Sequence, residues 1–361
     1  MCHDTKEGLS PGRCAVHRLG SGQHGRVALG LSRGVVHALL SRAVIVLMAL
    51  TGVLSAGESP VFMPRPLPYS ASSGLRLQGF ERSSLRGQEG DLRLSRMAVD
   101  ITVPIGSGSP NQYAVVMAYD RLALDGQAEL PQSGAVPDSL ERLRCELSWK
   151  RMLDEAGRSV GLALSIGNAS DELFASSRDL TYGVTAVAYL PREDGHAWQL
   201  GLLWRSDLRL LDGYPVPMAV YHIRSPTLHL QLGLPVVHVR WSPDPAFSVS
   251  GGWLVSGPTV AATLRPDPAW EISARVAGDG FSAWRHDREQ RDDLLRYRDY
   301  AATLSLAWQP FHGQRLAVNG GWRFYRRLSE DDGGMPFRGE DNRLRIADGW
   351  FIGLEGRISL R

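Results

Sequence analysis

The chain has 361 residues, of which 43% are hydrophobic and 22% charged, and its 40 basic side chains nearly balance 38 acidic ones for a formal charge of +2. That balance supplies no field to gather a polyanion, so no nucleic-acid partner is expected. The length suits two ordinary domains or one large β domain. Its 39 glycines, 21 prolines and 10 tryptophans point to the second, because many turns and many amphipathic aromatics suit an all-β chain.

The amino terminus reads as targeting rather than structure. Ala43 to Leu54 form an uncharged apolar run with Arg33 and Arg42 before it and the small residues Ser55, Ala56 and Gly57 after it. These are the parts of a secretory signal peptide, assigned to residues 33–56. The run is well short of the roughly 20 apolar residues a membrane-spanning helix needs. Residues 1–32, polar and without periodicity, read as an over-long translation start or a disordered leader. Their loss takes Cys2 and Cys14 and leaves Cys145 alone, so no internal disulfide framework is expected. Residues 57–90 read as a periplasmic segment and 91–361 as the β domain.

From Asp91 onward the dominant signal is period-2 alternation, the pattern of strands with one apolar face. Val99, Ile101, Val103 and Ile105 open it, followed by Tyr113 to Leu122 and by Leu143, Cys145, Leu147 and Trp149. Val160 to Ile166, Trp198 to Trp204 and Leu228 to Leu234 repeat it, as do Phe247 to Val255 and Trp270 to Val276. Tyr300 to Trp308, Leu316 to Phe324 and Trp350 to Leu360 complete the series. In most of these the second face is small, polar or charged. Segments of roughly 8 to 12 residues match the length with which a tilted strand crosses a bilayer.

Turn clusters separate the rows at Ser242 to Pro245, Arg265 to Pro268, Ala277 to Gly280 and Asp331 to Gly334. Two long charged connections, Gly278 to Arg296 and Arg327 to Arg345, fall on the same side of a barrel, and the connection between them, Pro310 to Gly313, is short. Long outer loops with short inner turns are the outer-membrane pattern. Asp125 to Leu140 is also long yet falls on the short side in this count, which implies either a miscounted strand or a periplasmic excursion. Tryptophans 149, 198, 204, 241, 253, 270, 308, 322 and 350 sit near row ends, as in the aromatic belts of membrane barrels. The expected fold is therefore an all-β, antiparallel up-and-down transmembrane β-barrel of roughly 12 strands, within a range of about 10–14. A secreted β-sandwich is the soluble alternative.

The stretch Tyr214 to Trp253, with the Pro-Val-Pro entry at Pro215 to Pro217 and the Leu-Gly-Leu-Pro segment at Leu232 to Pro235, resembles a bacterial family of uncharacterised, predicted outer-membrane β-barrel proteins. The likeness extends over Asp91 to Arg361. It implies a fold and an outer-membrane location, with membrane lipid and the barrel assembly machinery as partners, and no activity. Such barrels commonly end in an aromatic residue that the assembly machinery reads, whereas this chain ends Ile358-Ser-Leu-Arg361.

Chemistry is sparse. No H-E-x-x-H occurs. His222, His229 and His238 fall in neighbouring strands without the short spacing of metal ligands, so they read as polar wall residues, and no metal, cofactor or catalytic residue is nominated. Asn168-Ala-Ser170 matches a glycosylation sequon that has little meaning in a bacterial host. Arg144, Glu146, Arg205, Glu271, Arg275, Arg323, Glu355 and Arg357 occupy polar rows and are the candidate lumen-facing residues. They would either line a narrow aqueous path or pair across it as a plug. Three roles follow as expectations: a structural or passive-pore barrel admitting small solutes, a barrel enzyme acting on lipid or peptide, and a soluble secreted binding protein.

Overall fold

In a computed structural model the structure describes residues 69–360 apart from 107–109, 132–133, 193, 207–213, 235, 255–256, 287–293 and 332–341. The leader and signal peptide, and most of the charged segment that starts at Arg285, lie outside the described residues. The first strands are β1 (Ala71–Phe80), β2 (Ser83–Arg86), β3 (Asp91–Gly106) and β4 (Asn111–Gly126). The two-residue strands β5 (Glu129–Leu130) and β6 (Gly134–Ala135) follow, then β7 (Ser139–Met152), β8 (Ser159–Ser170), β9 (Leu180–Pro191) and β10 (Ala197–Arg205). Next come β11 (Val216–Arg224), β12 (Leu228–Leu234), β13 (Val237–Asp244), β14 (Phe247–Leu254) and β15 (Gly257–Asp267). The chain finishes with β16 (Trp270–Trp284), β17 (Leu294–Trp308), β18 (Gln314–Asp331), β19 (Arg343–Ile346) and β20 (Gly349–Leu360).

All but β5 and β6 belong to one sheet, in which β3 pairs antiparallel with β4, β4 with β7, each of β7 to β17 with the next strand, β1 and β2 both with β3, and β19 and β20 both with β18. The sheet closes on itself where β1 pairs with β20, Ala71 opposite Leu360 and Phe80 opposite Phe351. β2 pairs with β19 just beyond that seam, so these two short strands continue β1 and β20 past a break. The result is an antiparallel barrel of 16 staves. Closure removes the free edges of a sandwich, which is thereby excluded.

The strand number corrects the expected count of roughly 12. Strands β1, β9 and β15 lack a long apolar row: β1 has only Leu75 and Leu77 on one face and Phe80 on the other among small or polar residues, and β9 carries Val184 and Ala186 on one face with Val187 and Tyr189 on the other. The barrel also starts at Ala71 and not Asp91, since β1 and β2 lie in the segment assigned to the periplasm. Two expected loops are partly strand. Ala277 to Gly280 runs through the middle of β16, opposite Ala301 to Arg298 of β17, and β18 extends to Asp331.

With an even ring both described ends lie at one rim. There the connections at 225–227, 245–246 and 268–269 are short, whereas the opposite rim carries 127–138, 171–179, 206–215 and 285–293. The segment from Asp125 to Leu140 thus shares its side with the other long loops, and a miscounted strand explains the earlier mismatch. The short turns are built by their own side chains. Asp244 Oδ1 accepts the amides of Ala246 and Phe247, and Asp267 Oδ1 accepts those of Ala269 and Trp270. In the turn after β7 the Arg158 amide donates to Asp154 and holds that carboxyl below its ordinary range, while Gly157 takes a φ of 86° that a side chain would disfavour.

Alternation sorts the two faces. The outer row exposes Ile101, Met117, Leu147, Leu164, Leu200, Leu232, Val260, Leu304, Val318 and Ile352, among other apolar side chains. Aromatics bound it. At the short-turn rim Trp270 lies against Trp308, Trp241 against Phe247 and Trp198 against Tyr221, at centroid separations of 6.3, 6.3 and 4.8 Å. Toward the long-loop rim Trp322 meets Trp350 edge-on at 5.1 Å. Beyond this level β3, β4, β7 and β16 to β18 continue, and their outer row turns polar at Arg93, Ser95, Arg121 and Asp125 while the inner row turns apolar. Their inner side chains Leu92, Leu94, Leu122, Leu124, Phe281 and Leu295 form one buried core, joined by Leu130 of β5. Tyr325, at a positive φ of 59°, marks the point where β18 changes phase so that Arg326 and Leu328 continue the inner row begun by Arg323.

Candidate functional site

The barrel interior is the site, and its two halves differ. Strands β8 and β16 stand on opposite sides of the ring yet touch at the long-loop rim, where Ser170 bridges Trp284 and the Asp171 amide donates to the Trp284 carbonyl at 3.1 Å. Asp171 secures the contact, accepting the His286 amide at 2.8 Å, its Nδ1 at 3.2 Å and the Ser170 hydroxyl at 3.0 Å. The carboxylate stands between the hydroxyl and the imidazole, so the trio holds no serine activated by histidine and acts as a latch across the rim.

On the β1 side of this seam the lumen is filled. Below the apolar core, Arg96 of β3 donates to Asp120 at 2.9 and 2.7 Å and reaches across to Asp279 of β16 at 2.9 Å. Arg142 adds a third bond to Asp120 at 3.0 Å. Arg323 donates to Asp299 at 2.6 Å, to Asp279 at 3.2 Å and to Gln78 at 2.9 Å, while the Tyr297 hydroxyl also donates to Asp299 at 2.7 Å. Arg326 donates to Ser83 and to the Ala347 carbonyl. Charges of both signs alternate through this layer, and low-dielectric burial makes each pairing obligatory.

The eight sequence-nominated residues all occupy inner-row positions, opposite the exposed apolar row of their strands. Arg323 is a centre of the buried layer. Glu271 accepts Arg265 at 2.7 Å and Arg315 at 3.2 Å, and Arg315 continues to Glu355 at 2.9 Å, a chain of pairs near the short-turn rim. Glu146 is buried and accepts the Ser148 hydroxyl at 2.8 Å. Arg144 and Arg357 project from β7 and β20 and Arg205 from β10, each half-buried or exposed, and Arg275 of β16 is exposed. Sequence reading missed Arg96, Asp120, Asp279 and Asp299. Arg96 lies just before the recognised row that opens at Val99 and Asp120 lies within the recognised stretch Tyr113 to Leu122, both at inner positions, so continued alternation would have found them. Asp279 was hidden because Gly278 and Gly280 around it read as a turn.

The other half is walled by β8 to β15. Register places His222 beside Gln231 and Gln231 beside His238, while Arg224 stands beside His229 and His229 beside Arg240. The His222 Nε2 hydrogen bonds Gln199 Oε1 at 3.1 Å, its ring stacks on His229 at 5.9 Å, and Arg224 donates to His229 at 3.4 Å. Among the described residues no group of three or more His, Cys, Asp or Glu is placed to hold a metal ion. In register, glutamine and arginine stand directly opposite these histidines, and His222 and His229 meet diagonally through their stacked rings.

No family model and no curated protein matches the chain. Among solved structures it is similar to an outer membrane channel from Pseudomonas putida F1, at 12% identity over 84% of this chain and 100% of that one, with a TM-score of 0.36. It is also similar to a mutant monoaromatic hydrocarbon channel, at 9% identity over 86% and 96% with a TM-score of 0.37. The NanC porin is a third, at 12% identity over 80% and 99% with a TM-score of 0.28.

Proposed function

We propose that the protein is a bacterial outer-membrane β-barrel with a passive pore role. The observation that carries this reading is the closed even-numbered ring whose exposed outer row is continuously apolar and bounded by aromatics at two levels. In water such a surface would far exceed the few hundred Å² of contiguous apolar patch a soluble monomer exposes, whereas acyl chains cover it without cost. A ring of this size leaves room for an aqueous channel unless side chains fill it; the buried ion pairs and the apolar core lie on the β1 side, while the inner-row Arg240 and Arg275 of the other side are exposed. An enzymatic role lacks support from the latch at Asp171, whose hydroxyl is on the wrong partner.

Two readouts test this. The folded protein in detergent is expected to migrate faster in gels before boiling than after it. In planar bilayers it is expected to give discrete conductance steps. Recovery from cells in the soluble periplasmic fraction without detergent, with no mobility change on heating, would overturn the reading.

A further inference from the structure

We propose that permeation runs along the β8-to-β16 half of the barrel and favours small inorganic anions; this rests on the pore reading above and specifies what the pore passes. The first observation is the distribution of carboxylates. Strands β8 to β15 carry only two, Asp244 and Asp267, and both are used in short turns, capping backbone amides at the rim. The register shifts beside them also place each on the face of its outward-pointing aromatic partner, Phe247 or Trp270. No inner-row position of these eight strands is therefore acidic among the described residues.

The second observation is what those positions hold instead. One row crosses six strands by direct pairing: Arg224 to His229, His229 to Arg240, Arg240 to Ser250, Ser250 to Ala261 and Ala261 to Arg275. Arg240 and Arg275 are exposed on this inner row, and His229, Ser250 and Ala261 are half-buried, so the row is open to water. The next row repeats the chemistry with His222, Gln231, His238 and Thr259. Across the seam the contrast is complete, since there Arg96, Arg142 and Arg323 are each matched by a buried aspartate within 3.0 Å.

A wall of guanidinium, imidazole and hydroxyl groups, with no inner carboxylate on β8 to β15 and with Glu271 at its β16 border held by Arg265 and Arg315, sets a positive potential along its side of the lumen. Rings of arginine select anions by this means, replacing part of the lost hydration shell with N–H donors and repelling cations. Arginine keeps its charge at every working pH. In the filled half Asp120, Asp279 and Asp299 are paired with arginine inside the plug, Glu355 is paired with Arg315, and the inner-row Asp100 and Glu146 are themselves buried, so little negative surface faces the path.

The experiment is the reversal potential of single channels in a potassium chloride gradient. Wild-type protein is expected to favour chloride over potassium, by about threefold or more, in the direction an arginine-lined wall sets. The Arg224→Gln, Arg240→Gln, Arg275→Gln variant should move that ratio close to unity while keeping its heat-modifiable migration. Arg240→Gln alone, at an exposed position that folding does not depend on, should give a partial shift in the same direction. A cation-selective wild-type channel, or an unchanged ratio in Arg240→Gln and the triple variant, would overturn the anion path while leaving the pore intact. Absence of any conductance step would overturn the pore reading itself.

Discussion

Arg323→Met is expected to destabilise the barrel by about 3–5 kcal/mol, the usual cost of leaving a buried charge without its partner. Arg323 is 2% exposed and holds Asp299 and Asp279 at once, while Phe80 and Phe351 cover its guanidinium at 4.6 and 4.9 Å. Methionine keeps the stem's packing and removes only the charge and its donors. Asp299 would then retain the Tyr297 hydroxyl alone, inside a region that excludes water. The midpoint of urea unfolding, followed by loss of the fast-migrating form, measures the effect. Adding Asp299→Asn should restore a substantial part of the loss, because the uncompensated charge is what costs energy, not the missing bond. A change below about 1 kcal/mol in Arg323→Met would show that the layer is not a coupled unit.

Leu304→Arg carries the second large effect. Leu304 is 61% exposed in the outer row of β17, between Tyr300 and the Trp308 girdle. On a lipid-covered face, arginine at mid-depth costs about 2–4 kcal/mol, falling almost to nothing at the interfaces. Arginine at Phe311, which is 66% exposed in the short turn between β17 and β18, provides the comparison and should change little. Folding into phosphatidylcholine vesicles, titrated with denaturant, separates the two. If both substitutions were neutral, the outer row would face water, since exposed surface changes in soluble proteins rarely exceed about 0.5 kcal/mol.

How much of this was legible in the sequence depends on what each feature rests on. Rows such as Leu228 to Leu234 and Trp270 to Val276 announce their strands because one face is uniformly apolar and the other is not. Alternation fails at β1 and β9, where small or mixed side chains occupy both faces, and those omissions account for part of the short strand count. The lumen-facing rows follow from the same period, so Arg323 and Glu271 could be nominated. Their partners could not, because Arg96 meets Asp279 only after the sheet has closed and opposite walls approach. Sequence reading saw mixed charge across the whole interior. The closed ring divides it, placing the buried pairs of Arg96 and Arg323 on one side of the β8–β16 seam and, on the other, the strands β8 to β15 without an inner-row acid.

The claim on which everything else depends is that the outer row lies in lipid, and Cys145 offers a direct probe. It is exposed on the outer row of β7 between Leu143 and Leu147. With Cys2→Ser and Cys14→Ser introduced, it is the remaining thiol of the 3 cysteines in the chain. A charged, membrane-impermeant maleimide applied to isolated outer membranes is expected to leave it unmodified, and to label it fully after extraction and unfolding. Labelling in intact membranes as fast as in the unfolded chain would place that face in water and contradict the barrel's membrane setting.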